Sequence, residues 1–580
     1  MSANIHSFRI KILGAFFCLC LVLIVYRLYQ VQIVSGQEFR HQAGTQYVRT
    51  STAEYDRGSI YIKDNLGTKF PAASVQSGYI LAIHPSELTG DINNIANKVY
   101  EAIEVDDLEG LTEPDFVSKF ADHAARIDDS YEEVIDQLSD ASAEAISKLD
   151  IDGVNVYQQR WRHYPGGELL SHVIGFTSYN DEDERVGTYG LERTYDKELR
   201  RGNSSIFTNF FAEAFTTAKD VVSDNLSADL YLTIDRSVQI ELEKTLEDTM
   251  AQWQTKSTAG IVMDPKTGAI IAMASTPAFD LNHFSDVESS AIYVNPLVEN
   301  VYEMGSIMKP LTMAYALDSG AVTKDTTYND TGKLTVDKST ISNYDGGARG
   351  VVPIQQILNQ SLNVGTAFLL NQMGSEKFKQ YFIKSGFDSQ TGIDLPNEAN
   401  PLTDSLLSSP RQIEYVTASF GQCFAISPIA MTRALAIIAN NGRLPSPFVV
   451  ERVQHELGTW SDNRSEAQEQ VVSETTAKLT TDMLVTVVDD ALRGGNESLR
   501  NYSIAAKTGT AQIANHTGQY REDAYLHTFF GYFPAYNPKY LIFLLNEEPK
   551  GARYASETLT SPFMSLTKFL INYQNLEPDR

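Results

Sequence analysis

Ser306 and Lys309 stand three residues apart, after Gly305 and ahead of an apolar pattern of helical spacing (Leu311, Met313, Ala314, Leu317). On a helix, positions i and i+3 share a face, so the two side chains come within reach of each other. A serine hydroxyl is a weak nucleophile and needs a neighbouring base. Lysine serves as that base only if burial or a second cation lowers its pKa. A serine in a first helical turn also faces the positive end of the helix dipole, which favours a developing oxyanion. The pattern alone is cheap: Ser565 and Lys568 repeat it in a segment that reads as an ordinary helix.

Two further motifs follow in order. Lys507-Thr508-Gly509-Thr510 lies between Ile504-Ala505-Ala506 and Ala511-Gln512-Ile513, so it reads as a strand containing a glycine. Glycine there permits close backbone approach by a ligand. The strand edge suits an extended peptide, and Lys507 suits a carboxylate. A Ser-x-Asn motif has three candidates. Ser223-Asp224-Asn225 precedes the catalytic region, and Ser461-Asp462-Asn463 sits in a polar, turn-rich stretch where such residues are expected. Ser361-Leu362-Asn363 instead interrupts an apolar helical pattern (Ile354, Ile357, Leu358, then Val364, Ala367, Phe368). Polar groups there need partners, and a break between two helices facing a cleft supplies them. Together the three motifs form the set used by class A β-lactamases and penicillin-binding proteins.

The elements that must position these residues are legible in outline. Leu230–Asp235 reads as a strand, followed by a helix from Arg236 to about Trp253. Residues 259–274 form two apolar strands around a Pro/Gly turn. Thr528–Phe533 and Tyr540–Leu545 form another pair. Helical patterns lie between, as at Ile354–Met373 and Pro428–Asn440. Strands at both ends with helices between give an α+β domain. Upstream, residues 86–150 are strongly acidic and read as helical, with a solvated charged face.

At 580 residues the chain exceeds one core, and 42% apolar content is that of a globular protein. A net charge of −27 disfavours nucleic acid as a partner. Three cysteines and ten scattered histidines suggest neither a disulfide framework nor a metal site, and no cofactor is expected. Ile12–Tyr26 is an uninterrupted apolar run, with Arg9 and Lys11 before it and Arg27 after. Extended to about residue 34 it is long enough to span a bilayer, and its basic flank puts the N-terminus inside. No small-residue cleavage site follows. The expected organisation is a cytoplasmic tail (1–11), a single-pass anchor in the cytoplasmic membrane (12–34), and a pedestal (35–230) carrying the acidic insert (86–150). A linker strand and helix (231–257) and a catalytic domain (258–575) on the extracytoplasmic face complete it.

The chain resembles the class B penicillin-binding proteins. The likeness rests on Arg57-Gly-Ser-Ile60, Tyr164-Pro-Gly166, His172-Val-Ile-Gly175, Gly190-Leu-Glu192, Thr233-Ile-Asp235 and Met263-Asp-Pro-Lys-Thr-Gly268. It continues through Tyr302-Glu303, Gly305-Ser306, Thr391-Gly-Ile-Asp-Leu-Pro396, Phe420-Gly-Gln422 and Lys507-Thr-Gly-Thr510. The resemblance implies an elongated mixed α/β dimerisation-like pedestal. It also implies a transpeptidase domain with a five-stranded antiparallel sheet flanked by helices. The implied activity is peptidoglycan D,D-transpeptidation in septal or lateral wall synthesis, with β-lactams acylating the same serine. In that scheme Ser306 attacks and releases D-Ala, and Lys309 takes its proton. Ser361 and Asn363 relay protons and hold substrate. Lys507 and Thr508 position the terminal carboxylate, and Thr508, Gly509 and Thr510 bind substrate. The amides of Ser306 and Thr510 form the oxyanion hole. Implied partners are stem peptides, β-lactams, a glycosyltransferase and membrane proteins of the divisome or elongasome.

Met304 replaces a usual proline, Ile307 and Met308 a common Thr-Phe, and Cys423 a usual glycine, which should reshape the pocket wall. The alternatives are a non-catalytic β-lactam sensor or scaffold, and a hydrolase of the carboxypeptidase or β-lactamase kind. Glu303 and Lys309-Pro310 lean toward a division role, whereas Gly392-Ile-Asp-Leu-Pro396 occurs in both types.

Overall fold

The computed structural model describes residues 56–580 except 109, 183, 202–226, 410, 456–457, 463–467, 493–498 and 515–518. The expected anchor at 12–34, Cys18, Cys20 and the motif at Ser223 lie outside the described residues. No described helix is long and apolar enough to cross a membrane.

The chain divides into two compact units. The smaller is built mainly from residues 75–162, and the larger from 58–74, 163–200 and most of 213–580. Strands β1 (Ile60–Lys63) and β2 (Lys69–Ile83) come first. In the smaller unit, helices α1 (Ile92–Glu101) and α2 (Glu113–Ala124) pack together. Val99, Phe116 and Phe120 are buried there, while Glu101, Glu104, Asp106 and Glu113 lie on the surface. Residues 132–138, expected to be helical, form strand β3 (Glu132–Leu138). Pairing with the second half of β2 (Tyr79↔Leu138, Leu81↔Ile135) buries Val134, Ile135 and Leu138. That long-range burial outweighs the local helical preference of the acidic residues. Helix α3 (Asp140–Ser147), capped by Ser139, and strand β4 (Val154–His163) complete the unit.

In the larger unit β5 (Ala228–Asp235) pairs parallel with β1. Asp235 ends the strand and caps α4 (Arg236–Trp253), accepting from the amides of Ser237 and Val238 at 2.9 and 3.1 Å. Helix α4 lies across β6 (Ser257–Met263) and β7 (Ile270–Thr276). Strand β8 (Val450–His455) pairs with β5, and β9 (Trp460–Asp462) with β8. The centre is a five-stranded antiparallel sheet with β10 (Ala505–Ala514), β11 (Tyr520–Phe533) and β12 (Tyr540–Glu547), in the order β10-β11-β12-β6-β7. Helices α5 (Lys309–Asp318), α6 (Asn363–Met373), α7 (Pro428–Ala439) and α8 (Glu474–Val487) lie between β7 and β10 in the chain. Helix α9 (Ala555–Tyr573) packs on β11 and α4. The sheet order leaves β10, which carries Lys507–Thr510, as an edge strand.

Candidate active site

Ser306 sits in a 3-10 turn, Gly305–Met308, directly ahead of α5. The serine–lysine pair therefore straddles a tight turn and a helix start, rather than one α-helix. Ser306 is the only residue from Met304 to Pro310 that is not buried. Gly305 adopts φ +63°, and a Cβ on it would lie 2.9 Å from the Thr510 carbonyl oxygen. Its amide donates to the Gly421 carbonyl at 3.0 Å. The turn is thus seated between β10 and the 420–423 loop.

The glycine of the strand motif serves the same contact. A Cβ on Gly509 would lie 2.3 Å from Thr528 Oγ1 and 2.7 Å from the Met304 carbonyl oxygen. Thr528 Oγ1 itself donates to that carbonyl at 3.1 Å. The close backbone approach expected of a ligand at Gly509 is made by the protein's own nucleophile turn. Met304, Ile307 and Met308 are wholly buried. These substitutions bear on how the turn is seated, not on an exposed pocket wall as expected.

Lys309 is completely buried, and its Nζ has three acceptors within hydrogen-bond reach. It donates to the Asn363 Oδ1 at 2.7 Å, the Ser361 carbonyl at 2.7 Å and the Ser361 Oγ at 3.2 Å. Burial, and secondly the nearby Lys507, hold its pKa well below the ordinary lysine value. The chain arranges these acceptors by breaking a helix. Residues Gln355–Asn359 are helical, Ser361 turns left-handed at φ +53°, and α6 starts at Asn363. Leu362 drops into the core at 0% exposure, leaving Ser361 and Asn363 half-exposed on either side. Asn363 is itself oriented, its Nδ2 donating to the Ser342 carbonyl at 3.0 Å. Next door, Asn343 accepts from the Val364 amide at 3.1 Å and donates to Asp330.

Lys507, 3% exposed, donates to the Thr508 carbonyl at 3.0 Å, and burial takes its pKa down to about 7. Thr508 and Thr510 are half-exposed, alternating with buried Lys507 and Gly509. The Thr510 hydroxyl accepts from the Ala555 amide at 3.0 Å and so serves the N-terminus of α9. Ser361, Asn363, Lys309 and Lys507 come together around the Ser306 turn. The alternatives do not: Ser565 is exposed on α9, and Ser461 is exposed in β9.

Glu303 is the residue that motif reading passed over as a site component. Its carboxylate accepts from the Cys423 amide at 2.7 Å and from the Tyr520 hydroxyl at 2.8 Å. Burial raises its pKa, opposed by these two donors. One side chain thus ties the segment before the nucleophile to the 420–423 loop and to the start of β11. Cys423 is half-buried at φ +68°, a backbone state natural to glycine, and burial pushes its thiol pKa up. No local pattern links Glu303 to Tyr520, 217 residues away. Among the described residues no cluster suits a metal ion.

The penicillin-binding protein transpeptidase domain matches residues 258–565, and the penicillin-binding protein dimerisation domain matches residues 53–209. The chain belongs to the penicillin-binding protein transpeptidase family, and the second domain places it in class B. It is 28% identical over 554 residues to Stage V sporulation protein D of Bacillus subtilis, covering 93% of this chain and 81% of that protein. It is 25% identical over 576 residues to Peptidoglycan D,D-transpeptidase FtsI of Buchnera aphidicola, covering 98% and 96%. Among solved structures, penicillin binding protein 3 of Mycobacterium tuberculosis superposes with a TM-score of 0.64 at 25% identity, over 73% of this chain and 92% of that one. Penicillin Binding Protein 2X of Streptococcus thermophilus shares the fold, with a TM-score of 0.72 at 20% identity over 90% and 79%.

Proposed function

We propose that this chain is a serine D-Ala-D-Ala transpeptidase that cross-links peptidoglycan stem peptides and is acylated by β-lactams. The carrying observation is Lys309, buried, depressed in pKa and held by Ser361 and Asn363 one turn from Ser306. A neutral Lys309 amine takes the Ser306 proton as Oγ bonds to the penultimate carbonyl carbon. The amides of Ser306 and Thr510 receive the oxyanion. Their backbones are adjacent because Gly305 lets the turn approach Thr510. The proton passes from Lys309 through Ser361 Oγ to the departing nitrogen, the C–N bond breaks and D-Ala leaves. The amine of a second stem peptide then attacks the ester, and Ser306 recovers its proton by the reverse route. Lys507 and Thr508 hold the terminal carboxylate, and the free edge of β10 pairs with the extended donor.

Fluorescent penicillin should label the wild type and Ser565→Ala but not Ser306→Ala; covalent labelling of Ser306→Ala sinks the assignment. A stem-peptide thioester with an amine acceptor should be aminolysed. Labelling without aminolysis or hydrolysis would mark a sensor instead, and hydrolysis alone a carboxypeptidase. The reading extends to a membrane anchor at 12–34, with the N-terminus inside and the catalytic domain extracytoplasmic. The apolar run Ile12–Tyr26 and its basic flank support it. A glycosyltransferase and membrane proteins of the divisome or elongasome are the proposed partners. Release of the protein from washed membranes by salt alone would refute the anchor.

A further inference from the structure

Helix α9 begins beside Thr510, and the backbone of the two residues before it is held by hydrogen bonds. Glu557 accepts from the amides of Arg553 and Tyr554 at 2.9 and 2.8 Å. The His527 Nε2–H donates to the Arg553 carbonyl at 3.2 Å. His527 is buried and neutral, since burial brings its pKa to about 4. The Arg553 backbone is therefore pinned from both sides. Its side chain is exposed, with the guanidinium 5.5 Å from the Tyr554 ring centroid. Among the described residues it has no carboxylate partner. Arg349, by contrast, is saturated by Asp345 at 2.8 Å through two nitrogens.

The location gives this arginine a direction. Ala555 is tied to the Thr510 hydroxyl, so residues 553–555 sit at the Thr510 end of the strand motif. Tyr554 meets Tyr344 edge-on, with centroids 5.9 Å apart. Tyr344 adjoins Ser342 and Asn343, which orient Asn363 and the start of α6. The aromatic pair thus spans from the Thr510 side of the cleft to the Asn363 side. A donor peptide whose terminal carboxylate is at Lys507 and whose scissile carbonyl is at Thr510 must continue past Thr510. Its residues on the amino side of the scissile bond then run toward Tyr554 and Arg553.

We propose that Arg553 is a specificity-determining residue that binds a free carboxylate on the donor stem peptide, amino-side of the scissile bond. The proposal rests on the roles given above to Lys507 and Thr510. The held backbone fixes where the Arg553 side chain starts, and the guanidinium fork suits a carboxylate. In a chain of net charge −27, a lone displayed arginine also supplies local attraction for an anionic peptide.

The test uses two stem-peptide thioesters that differ only in a free carboxylate or its carboxamide upstream of the scissile bond. Wild type should favour the carboxylate by about tenfold in kcat/KM, as a charge-assisted pair warrants. Arg553→Ala should bring the ratio to about one, Arg553→Lys should keep part of it, and Ser565→Ala should keep all of it. The ratio, not the absolute rate, is the readout, so a general loss of packing does not imitate the result. If neither thioester turns over, their relative power to slow fluorescent-penicillin labelling gives the same ratio. A wild-type ratio of one, or an Arg553→Ala ratio equal to wild type, overturns the proposal while leaving Ser306 in place. Failure of wild type to take label at all overturns the transpeptidase reading itself.

Discussion

Raising the pH from 7 to 9 should weaken capture of carboxylate ligands while it stabilises the free protein. Burial brings the Lys507 pKa from 10.5 to about 7, which is about 5 kcal/mol against the charged form. A carboxylate about 4 Å from the ammonium, at an effective dielectric of about 20, returns about 4 kcal/mol. That is enough to lift the bound-state pKa by about three. Between about 7 and about 10, affinity for a carboxylate ligand should therefore fall by about tenfold per pH unit. Binding at pH 8 should take up about one proton. For folding the sign is opposite. Below about 7 Lys507 is protonated in both states. Between about 7 and 10.5 the unfolded chain holds the extra proton, so this site's contribution to stability rises with pH. Titration calorimetry of Ser306→Ala with a penicillin, in two buffers of different ionisation enthalpy, counts the protons. Acylation of wild type should be bell-shaped in pH, its acid limb set by freeing Lys309 and its alkaline limb by losing the Lys507 charge. Lys507→Arg should remove the alkaline limb. Absence of proton uptake at pH 8, or an alkaline limb that survives in Lys507→Arg, would refute the reasoning.

The other expectations follow from packing and polar contacts. Gly509→Ala should cost about 1–3 kcal/mol and most of the acylation rate, because its Cβ meets Thr528 Oγ1 at 2.3 Å and the Met304 carbonyl at 2.7 Å. Adding Thr528→Ala should restore part of the loss, and no recovery in urea melts would argue against that clash. Ser361→Gly should leave stability equal or higher, since φ +53° costs an L-residue about 1 kcal/mol. It should still cut acylation by at least about tenfold through loss of the hydroxyl relay. Stopped-flow labelling that matched wild type would remove Ser361 Oγ from the route. Glu303→Ala should slow acylation more than Tyr520→Phe, because it releases the Cys423 amide as well as the tyrosine. The reverse ranking in the same assay would show that the 420–423 loop does not depend on Glu303.

How much of this could be read in advance differs residue by residue. The break at Ser361–Asn363 was legible because two polar residues interrupt an apolar helical repeat, and burying them unpartnered is costly. The strand assignments around 259–274 and 528–545 were legible because both are apolar runs flanked by turn residues. Strand β3 was not, because its acidic residues fit a helix locally and only pairing with β2 decides otherwise. Gly509 was legible as a close-approach position, but which atoms approach it was not.

By itself, the sequence determined the chemistry: two serines, two lysines and an asparagine in motifs whose order and contexts point to acyl transfer. It also determined the helix break and the strands that present them, because these depend on neighbours a few residues apart. Tertiary structure alone decided the protonation and the geometry. Lys309 and Lys507 are ordinary cations until burial strips their water. The three acceptors around Lys309, the clasp of Glu303 on Tyr520, and the seat of the Ser306 turn against Thr510 join residues 50 to 220 positions apart. No local pattern encodes such contacts, since they arise where the packed core brings distant backbone together.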